Sequence, residues 1–270
     1  KCPSSQYLTS LLLCCPLAAG DSEIRVKELS EPGYVQITTD WLDKQGIKYK
    51  NRDMEYFYIE GGQHYRGFES SIPADFSSAT FFLCAGALCG EEVTISGLDL
   101  SDSQPDKAVI DYLRTMGADI SAGGNEITVK SSPLKGREID MNQTPDALPA
   151  MAVTAAFASG TTRLVNVAQA RNKETDRIHC MAEELRKMQV RVEEIPDGII
   201  IEGCAPRPAR LSGRSDHRIV MALALAAMAS DGECSIDSAE AMNVTFPEYV
   251  KLMKTLGADK GEGFVYKSFF

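Results

Sequence analysis

The sequence repeats itself about every 70 residues. Four apolar runs begin after "SSQ", "ADFSSA", "TPDALPA" and "SDHR", and the last three starts, at Asp75, Asp146 and Asp216, lie 71 and 70 residues apart. The runs are rich in Ala, Leu and Met on all sides, which predicts helices buried among other elements. A period this long excludes a solenoid of small modules, whose repeats are usually about 20 to 50 residues. The repeat favours an α/β protein built by duplication.

Each apolar run is followed by the same succession of features. A glycine comes first, at Gly20, Gly90, Gly160 and Gly232, and it is expected at the C′ position because it adopts the left-handed conformation cheaply. A short β-like run, a variable loop, an amphipathic helix and a final strand such as "GFVYK" complete the repeat. The predicted unit is helix, strand, helix, strand, with room for an extra strand, and the chain contains four such units.

The overall composition narrows the possible functions. A formal net charge of −10 argues against nucleic-acid binding, although a few local Lys and Arg residues can still bind a small anion. The eight cysteines form no CxxC pair, which predicts reduced thiols and a cytoplasmic protein. The longest apolar run, "LLLCCPLAA", is too short to cross a membrane. The chain begins with Lys1 and shows no signal peptide, so we expect a piece of a longer protein.

The starts of the buried helices differ among the units. Asp75 is expected to be an ordinary N-cap, which typically contributes about 1 kcal/mol. Asp146 follows a proline and Asp216 precedes "HR", and a cap needs no neighbouring arginine. Arg218 also opens an otherwise apolar helix. These two starts therefore favour a functional interpretation.

The most polar stretch of the chain is "QARNKETDRIHC", at residues 169–180. It is typical of a solvated helix start with ion pairs three or four residues apart, such as Glu174 with Arg177. Alternatively, Glu174 and Arg177 lie on one face of the helix with Lys173 beside them, and the helix N-terminus helps to bind an anion near one acid. The residues alone leave both interpretations open.

Five segments together resemble a known family. They are "SSQYLTSLLLCCPLA", "DFSSATFFLCAGAL", "TPDALPAMAVTAAFASGTTRLVNV", "RNKETDRIHCMAEELRKM" and "SDHRIVMALALAA", and they resemble the motifs of 3-phosphoshikimate 1-carboxyvinyltransferase, EPSP synthase. The resemblance runs from Ser4 to about Leu256. The related UDP-N-acetylglucosamine enolpyruvyltransferases share the fold but lack the "SSQ" and "KETDR" motifs.

The resemblance implies an α/β enolpyruvyltransferase-type fold. Each of two domains contains three repeated α/β units with buried central helices, and four of the six units are present here. Residues 1–72 resemble the last unit of a domain whose other units are missing, and residues 73–270 resemble a nearly complete second domain. The missing part corresponds to roughly the first 160 residues. It would carry a Lys-Ser pair, arginines and a glycine-rich loop.

The activity that the resemblance implies is a transfer. The enolpyruvyl group of phosphoenolpyruvate passes to the 5-hydroxyl of shikimate 3-phosphate through a tetrahedral intermediate, and phosphate is released with C–O cleavage. This shikimate-pathway reaction of aromatic amino-acid biosynthesis uses no metal or organic cofactor. We expect a cytoplasmic enzyme, monomeric when full length, with no nucleic-acid or membrane partner. The alternatives are an inactive fragment with a partial half-site and a UDP-N-acetylglucosamine enolpyruvyltransferase-like enzyme.

The resemblance also implies roles for ten residues. Asp146 matches the carboxylate that takes the 5-hydroxyl proton, and Glu174 matches the proton donor to carbon. Arg177 and Arg218 match arginines that hold the phosphoenolpyruvate carboxylate. The residues that match contacts to shikimate 3-phosphate are Ser4, Ser5, Gln6, Ser30, Gln169 and Lys173.

Three positions depart from the family pattern. Gln169 stands where many members have Asn, and its amide can still bind substrate. Gly33 is an apparent insertion after Ser30. Val244 replaces a lysine that many members carry just before "TFP", which is expected to weaken the binding of phosphoenolpyruvate.

Overall fold

The computed structural model describes residues 4–89 and 91–258, with residues 257 and 258 as backbone only. Within this range the chain forms two compact units. The first runs to Pro73 and also includes Ser101–Pro105; the second comprises Ala74–Leu100 and the residues from Asp106 onwards. The predicted final strand at 263–267 and the predicted helix-ending Gly90 lie outside the described residues.

The first unit consists of one repeat. Its elements are α1 (Ser5–Cys14), β1 (Ser22–Arg25), α2 (Pro32–Lys44), β2 (Tyr49–Arg52) and β3 (Tyr56–Ile59). The strand β3 lies between β1 and β2 and is antiparallel to both. Apolar side chains of the two helices and of β3 form one core, which includes Leu12, Val35 and Phe57. The predicted order is confirmed, and the extra strand is β2.

Helix α1 is buried on one side only. Leu8 and Leu12 are 3% and 0% exposed, whereas Tyr7, Leu11 and Leu13 are 64%, 47% and 41% exposed. Residues four apart share one face of a helix, so only that face contacts the core of the unit. The prediction of a helix buried on all sides is therefore wrong for α1, because this unit supplies packing partners for a single face.

The second unit contains two complete repeats and most of a third. The helices are α3 (Phe76–Leu88), α4 (Val109–Met116), α5 (Leu148–Phe157), α6 (Arg177–Lys187), α7 (His217–Ala229) and α8 (Tyr249–Met253). The strands are β4 (Glu92–Ser96), β5 (Asp119–Gly123), β6 (Glu126–Lys130), β7 (Glu138–Asp140), β8 (Thr161–Val165), β9 (Arg191–Ile195), β10 (Gly198–Glu202), β11 (Arg210–Ser212) and β12 (Ser235–Asp237). These strands form three sheets with the orders β4-β6-β5, β7-β8-β10-β9 and β11-β12. Strand β7 is parallel to β8 and β11 is parallel to β12, whereas the other pairs are antiparallel.

Helices α3, α5 and α7 form the centre of the second unit. Each of the three packs against the other two. Nearly all of their side chains are buried, as the uniformly apolar sequences predict. Tyr249 of α8 is also fully buried and donates a hydrogen bond to the carbonyl oxygen of Met221, 2.9 Å away. The prediction of buried central helices is confirmed here.

The ends of the central helices differ from the prediction. Helices α5 and α7 finish in the extended residues Ala158 and Ser230, and Gly160 and Gly232 come two residues later. Both glycines have positive φ values, 84° and 129°. The glycines therefore turn the chain toward the next strand and do not occupy the C′ position.

Two further observations concern the length of the helices and the cysteines. No helix among residues 4–89 and 91–258 is long and apolar enough to cross a membrane. The seven cysteines in the same range are free thiols. Cys84 is buried, whereas Cys14, Cys89 and Cys204 are exposed.

Candidate active site

Asp146 lies among three cationic side chains. It belongs to a short 3-10 helix, Pro145–Ala147, that leads into α5, and its side chain does not cap that helix. Its carboxylate is 3.5 Å from Lys173 Nζ, 2.9 Å from Arg177 Nη1 and 3.3 Å from Arg218 Nη2. A position that resembles a helix cap in the sequence is thus the meeting point of three charged groups.

The "KETD" segment precedes helix α6. A 3-10 helix, Ala168–Asn172, ends just before Lys173, and α6 begins at Arg177. Asp176 is the N-cap and accepts a hydrogen bond from the backbone N–H of His179 at 3.0 Å. The prediction that Glu174 and Arg177 share a helical face is wrong, because the Asp176 cap starts the helix after Glu174. The two residues nevertheless form an ion pair.

Three other charged residues of this stretch support the local structure. Arg171 donates to Asp176 at 2.8 Å and to the carbonyl oxygen of Ile195 at 2.9 Å. His179 Nδ1 lies 3.2 Å from a carboxylate oxygen of Glu194. Arg171, Asp176 and His179 therefore hold the segment against the β9–β10 hairpin.

Arg177 is the most deeply buried cation of the site, with 1% of its side chain exposed. It donates from Nε to Asp216 at 2.9 Å, from Nη1 to Asp146 at 2.9 Å, and from Nη2 to Glu174. Asp216 is 0% exposed and also caps α7 by accepting from the backbone N–H of Arg218 at 2.9 Å. Buried charges persist only with such partners.

We call these six residues the ion cluster: Asp146, Lys173, Glu174, Arg177, Asp216 and Arg218. Three are cationic and three are carboxylates, so their formal charges cancel. Glu174 has the most open side chain, 51% exposed, compared with 22% for Asp146, 16% for Lys173 and 14% for Arg218. The two carboxylates Asp146 and Glu174 are therefore the parts of the cluster most accessible to a ligand.

Electrostatic effects in the ion cluster shift several pKa values. Burial by itself raises the pKa of Asp146, but Arg218, Lys173 and Arg177 outweigh it and lower that pKa to about 2. Burial also raises the pKa of Asp216. The charge of Arg177 and its hydrogen bond to Asp216 outweigh this effect, so the pKa of Asp216 is lowered. Burial and the two arginines lower the pKa of His217, so His217 is neutral at pH 7 and adds no cation.

The low pKa of Asp146 predicts a pH dependence of stability. A carboxylate with a lower pKa in the folded state stabilises the fold above its unfolded pKa, and the contribution disappears as the pH falls through the folded value. With an unfolded pKa of about 3.9 and a folded pKa of about 2, the contribution at pH 7 is about 2–3 kcal/mol. About half of it is lost by pH 3.

Asp146→Asn tests this expectation. The difference in free energy of unfolding between the unmodified chain and Asp146→Asn should narrow by about 1 kcal/mol from pH 7 to pH 3. Urea denaturation followed by far-UV circular dichroism at both pH values measures it. A difference that stays the same at the two pH values would contradict the pairing of Asp146 with the three cations.

Gln169 contacts the chain just before Asp146. Its side-chain amide donates to the carbonyl oxygen of Asn142 at 2.7 Å. It therefore ties the 3-10 helix Ala168–Asn172 to the loop that leads to Asp146.

Val244, in the last turn of another 3-10 helix, is 81% exposed. No group of three or more His, Cys, Asp or Glu side chains in the described residues could hold a metal ion.

The remaining predicted residues belong to the first unit. Ser4 caps α1 by accepting from the backbone N–H of Gln6 at 3.4 Å. Ser5 donates its hydroxyl to Glu31 at 3.1 Å, and Glu31 is 2% exposed with a positive φ of 61°. This bond brings the start of α1 together with the start of α2, where Ser30 lies. No sequence pattern indicates a role for Glu31 beyond its place before a proline.

The sequence predicts no specific role for two members of the site. It favours a functional interpretation of the helix start at Asp216 without a role for that side chain, and no pattern indicates Thr175, which donates to Asp216 at 3.0 Å. An aspartate that begins an apolar helix beside an arginine was the available signal for Asp216. No sequence pattern indicated that its main partner is Arg177.

The chain is similar to known proteins over most of its length. The family model of EPSP synthase (3-phosphoshikimate 1-carboxyvinyltransferase) matches residues 3–253. The chain belongs to the EPSP synthase family. The 3-phosphoshikimate 1-carboxyvinyltransferases of Ruminiclostridium cellulolyticum and Methanothrix thermoacetophila are 54% and 45% identical to it, over 256 and 259 residues. Each match covers 95% of this chain and 61% of the relative.

A solved structure supports the same family. The structure of EPSP synthase from Acinetobacter baumannii is similar with a TM-score of 0.79 and 27% sequence identity, and the match covers 94% of this chain and 60% of that one. The α/β enolpyruvyltransferase-type fold predicted from the sequence is thereby confirmed. The chain spans about three fifths of the length of these EPSP synthase relatives.

Proposed function

We propose that this chain is part of an enzyme that transfers the enolpyruvyl group of phosphoenolpyruvate to the 5-hydroxyl of shikimate 3-phosphate and releases phosphate. The observation that carries the proposal is the ion cluster. In it, the Asp146 carboxylate lies within 3.5 Å of three cationic groups, and a second carboxylate, Glu174, is bonded to one of those cations. Addition to an anionic enol ester needs a base, an acid and fixed cations in one place.

The two carboxylates have separate roles in this reaction. Asp146 removes the proton of the 5-hydroxyl as its oxygen bonds to C2 of phosphoenolpyruvate. Glu174, which is half-exposed, donates a proton to the methylene carbon, and a tetrahedral intermediate results. Loss of phosphate with C–O cleavage, together with loss of a proton from the new methyl group, restores the double bond. Acid and base must be different groups, since each acts in the opposite protonation state. Glu174, a carboxylate in the ion cluster, therefore takes up a proton from the solvent that reaches its half-exposed side chain before it acts as the acid.

The two arginines of the ion cluster suit the phosphoenolpyruvate carboxylate. A guanidinium binds a carboxylate through two parallel N–H donors, a geometry that lysine does not reproduce. The Nε of Arg177 is held by Asp216 at 2.9 Å, which fixes the direction of its other donors. Arg218 reaches the same space from α7 and lies 3.3 Å from Asp146.

Binding of phosphoenolpyruvate also prepares the base. A carboxylate with a pKa of about 2 is a weak proton acceptor at neutral pH. The carboxylate of phosphoenolpyruvate competes with Asp146 for the donors of Arg177 and Arg218. As these cations turn to the substrate, the pKa of Asp146 rises and its strength as a base increases.

The remaining predicted residues are proposed to bind shikimate 3-phosphate. Lys173 lies 3.5 Å from Asp146, and Gln169 bonds to Asn142 in the loop that leads to Asp146. The first unit offers the start of α1, where Ser4, Ser5 and Gln6 lie at a helix N-terminus, whose partial positive charge favours a phosphate. Ser30 completes this set. A phosphate bound there would replace Glu31 as the acceptor of the Ser5 hydroxyl.

We further propose that this activity requires a longer chain. The match covers 61% of the relatives, which supports two more α/β units of roughly 160 residues before this segment. Residues 1–72 would complete a domain with those units, and residues 73–270 would form nearly all of the other. The ion cluster has no net formal charge, so two anionic substrates need further cations. We place the full enzyme in the cytoplasm, as a monomer of the aromatic amino-acid pathway.

The 270-residue chain alone is therefore expected to turn over at least about 100-fold more slowly than the longer enzyme, because fixed cations that stabilise developing charge are missing. Release of phosphate from shikimate 3-phosphate plus phosphoenolpyruvate measures both proteins. Rapid turnover by the 270-residue chain would show that four units suffice. No turnover by the longer protein would refute the enzyme assignment. The alternative, a protein that binds substrate without turnover, would then remain.

A further inference from the structure

A buried carboxylate outside the ion cluster has no role in the proposed reaction. Glu184 of α6 is 0% exposed. It follows Arg177 by seven residues, about two helical turns, so the two side chains lie on the same side of α6. Helix α6 thus presents a buried cation to the start of α7 and a buried anion to the chain that precedes α7.

Glu184 binds that preceding segment directly. Its carboxylate accepts from the backbone N–H of Ser212 at 2.9 Å and from Arg214 at 3.1 Å. Lys187 Nζ donates to both carboxylate oxygens, at 2.8 and 2.7 Å. From the other side, Asp237 accepts from the Ser212 hydroxyl at 2.9 Å and from a backbone N–H of the same segment at 3.0 Å.

The segment between β11 and α7 is a strained turn, residues 213–216. Arg214 and Ser215 both have positive φ values, 53° and 54°, and each such residue costs about 1 kcal/mol or more when it is not glycine. A Cβ atom on Gly213 would come within 2.4 Å of a methyl carbon of Val220, so the backbone of the turn lies close against α7 and only glycine fits there. Such a turn persists only when its surroundings hold it.

The strained turn leads directly into the ion cluster. The backbone N–H of Asp216 bonds to the Gly213 carbonyl at 2.9 Å, and the Asp216 side chain holds Arg177 Nε and caps α7. Arg218 follows in the first turn of α7. The position of the turn therefore determines the position of Asp216 and, through it, of both arginines.

We propose that Glu184 is a positioning residue for the two arginines: by holding the strained turn, it fixes Asp216 and thereby the guanidinium groups of Arg177 and Arg218. The inference rests on the proposed function in one respect, that these arginines bind the phosphoenolpyruvate carboxylate. Glu184 itself touches no reacting group.

Glu184→Gln tests the proposal. Glutamine has the same shape and can still accept from the Ser212 N–H, but it carries no charge for Lys187 and Arg214. In the longer enzyme, the KM for phosphoenolpyruvate should rise about fivefold or more, which corresponds to a loss of about 1 kcal/mol in binding free energy. The KM for shikimate 3-phosphate and kcat should each change by less than about twofold. The variant weakens the binding of phosphoenolpyruvate equally in the ground state and in the transition state, which raises one KM and leaves kcat unchanged.

Glu183→Gln is the matched control. Glu183 precedes Glu184 on α6 and also pairs with Arg214, at 2.6 Å, but its side chain is 37% exposed. This variant should leave both KM values unchanged. If Glu184→Gln fails to fold, Glu184→Asp keeps the charge, withdraws the carboxylate from Ser212 and should raise the same KM.

Hydrogen exchange provides a readout that does not need turnover. In the 270-residue chain, amides of residues 210–218 should exchange faster in Glu184→Gln than in Glu183→Gln. Unchanged exchange overturns the proposal, as does faster exchange with an unchanged ratio of the two KM values. If the longer protein shows no turnover, the proposed function fails, and exchange of the Arg177 Nε–H, followed by NMR, then decides whether Glu184 positions that arginine.

Discussion

Asp216→Asn should lower the free energy of unfolding of this chain by about 3 kcal/mol. Asparagine is as good an N-cap as aspartate, so the cap of α7 remains. What disappears is the charge that faces Arg177 Nε at 2.9 Å, and an amide nitrogen turned toward that donor would repel it. Breaking a buried ion pair costs about 3–5 kcal/mol, and the low end applies because Arg177 keeps Asp146 and Glu174.

Asp75→Asn is the control for this prediction. Asp75 caps α3, a helix of the same length as α7, by accepting from two backbone N–H groups. It is exposed, and its carboxylate accepts hydrogen bonds from Ser77 and Ser78. Its replacement should change the free energy of unfolding by less than about 0.5 kcal/mol.

The measurement must report on the second unit. Trp41 lies in α2 of the first unit, so far-UV circular dichroism during urea denaturation is preferable to tryptophan fluorescence. If Asp216→Asn proves no more destabilising than Asp75→Asn, then Asp216 is only a cap and does not hold Arg177. A loss of about 3 kcal/mol in the first variant alone supports its double role.

The repeat in the sequence predicted most of the fold. Uniformly apolar runs are unambiguous, so α3, α5 and α7 were recognised as buried helices. Helix α1 has a similar composition, but its exposed residues show that burial depends on how many neighbours the fold supplies. The start of α6 was predicted too early, because Asp176 and not an earlier residue accepts from the free backbone N–H groups. Competing caps a few residues apart cannot be ranked from the sequence.

The candidate site was much harder to predict from residues alone. Arg177 pairs with Asp146 and Asp216, which are 31 and 39 residues away in the chain. Only the packing of helix starts against one another creates these pairs, and the family resemblance supplied the grouping that residue patterns did not. The same holds for the neighbouring residues Glu183 and Glu184. The sequence does not indicate which of the two is buried, and only the fold shows that it is Glu184.

Asp146→Asn in the longer enzyme should lower kcat by about 10²–10⁴, the usual contribution of a general base. Asparagine has nearly the same shape but accepts no proton from the 5-hydroxyl. Arg177 remains paired with Asp216 and Glu174, so its guanidinium stays in place, and the KM for phosphoenolpyruvate should change by no more than about threefold. Initial rates of phosphate release over a range of concentrations of both substrates give kcat and the two KM values.

Asp111→Asn is the control, since Asp111 lies on α4 with 78% of its side chain exposed and pairs with Arg114. It should retain full kcat. Near-normal turnover by Asp146→Asn would mean that Asp146 only balances the charge of the neighbouring cations. Because its side chain does not cap the 3-10 helix in which it lies, capping cannot explain a large loss of kcat. A loss of kcat with an unchanged KM for phosphoenolpyruvate, in a variant whose far-UV circular dichroism spectrum is that of the folded enzyme, would thus identify Asp146 as the base.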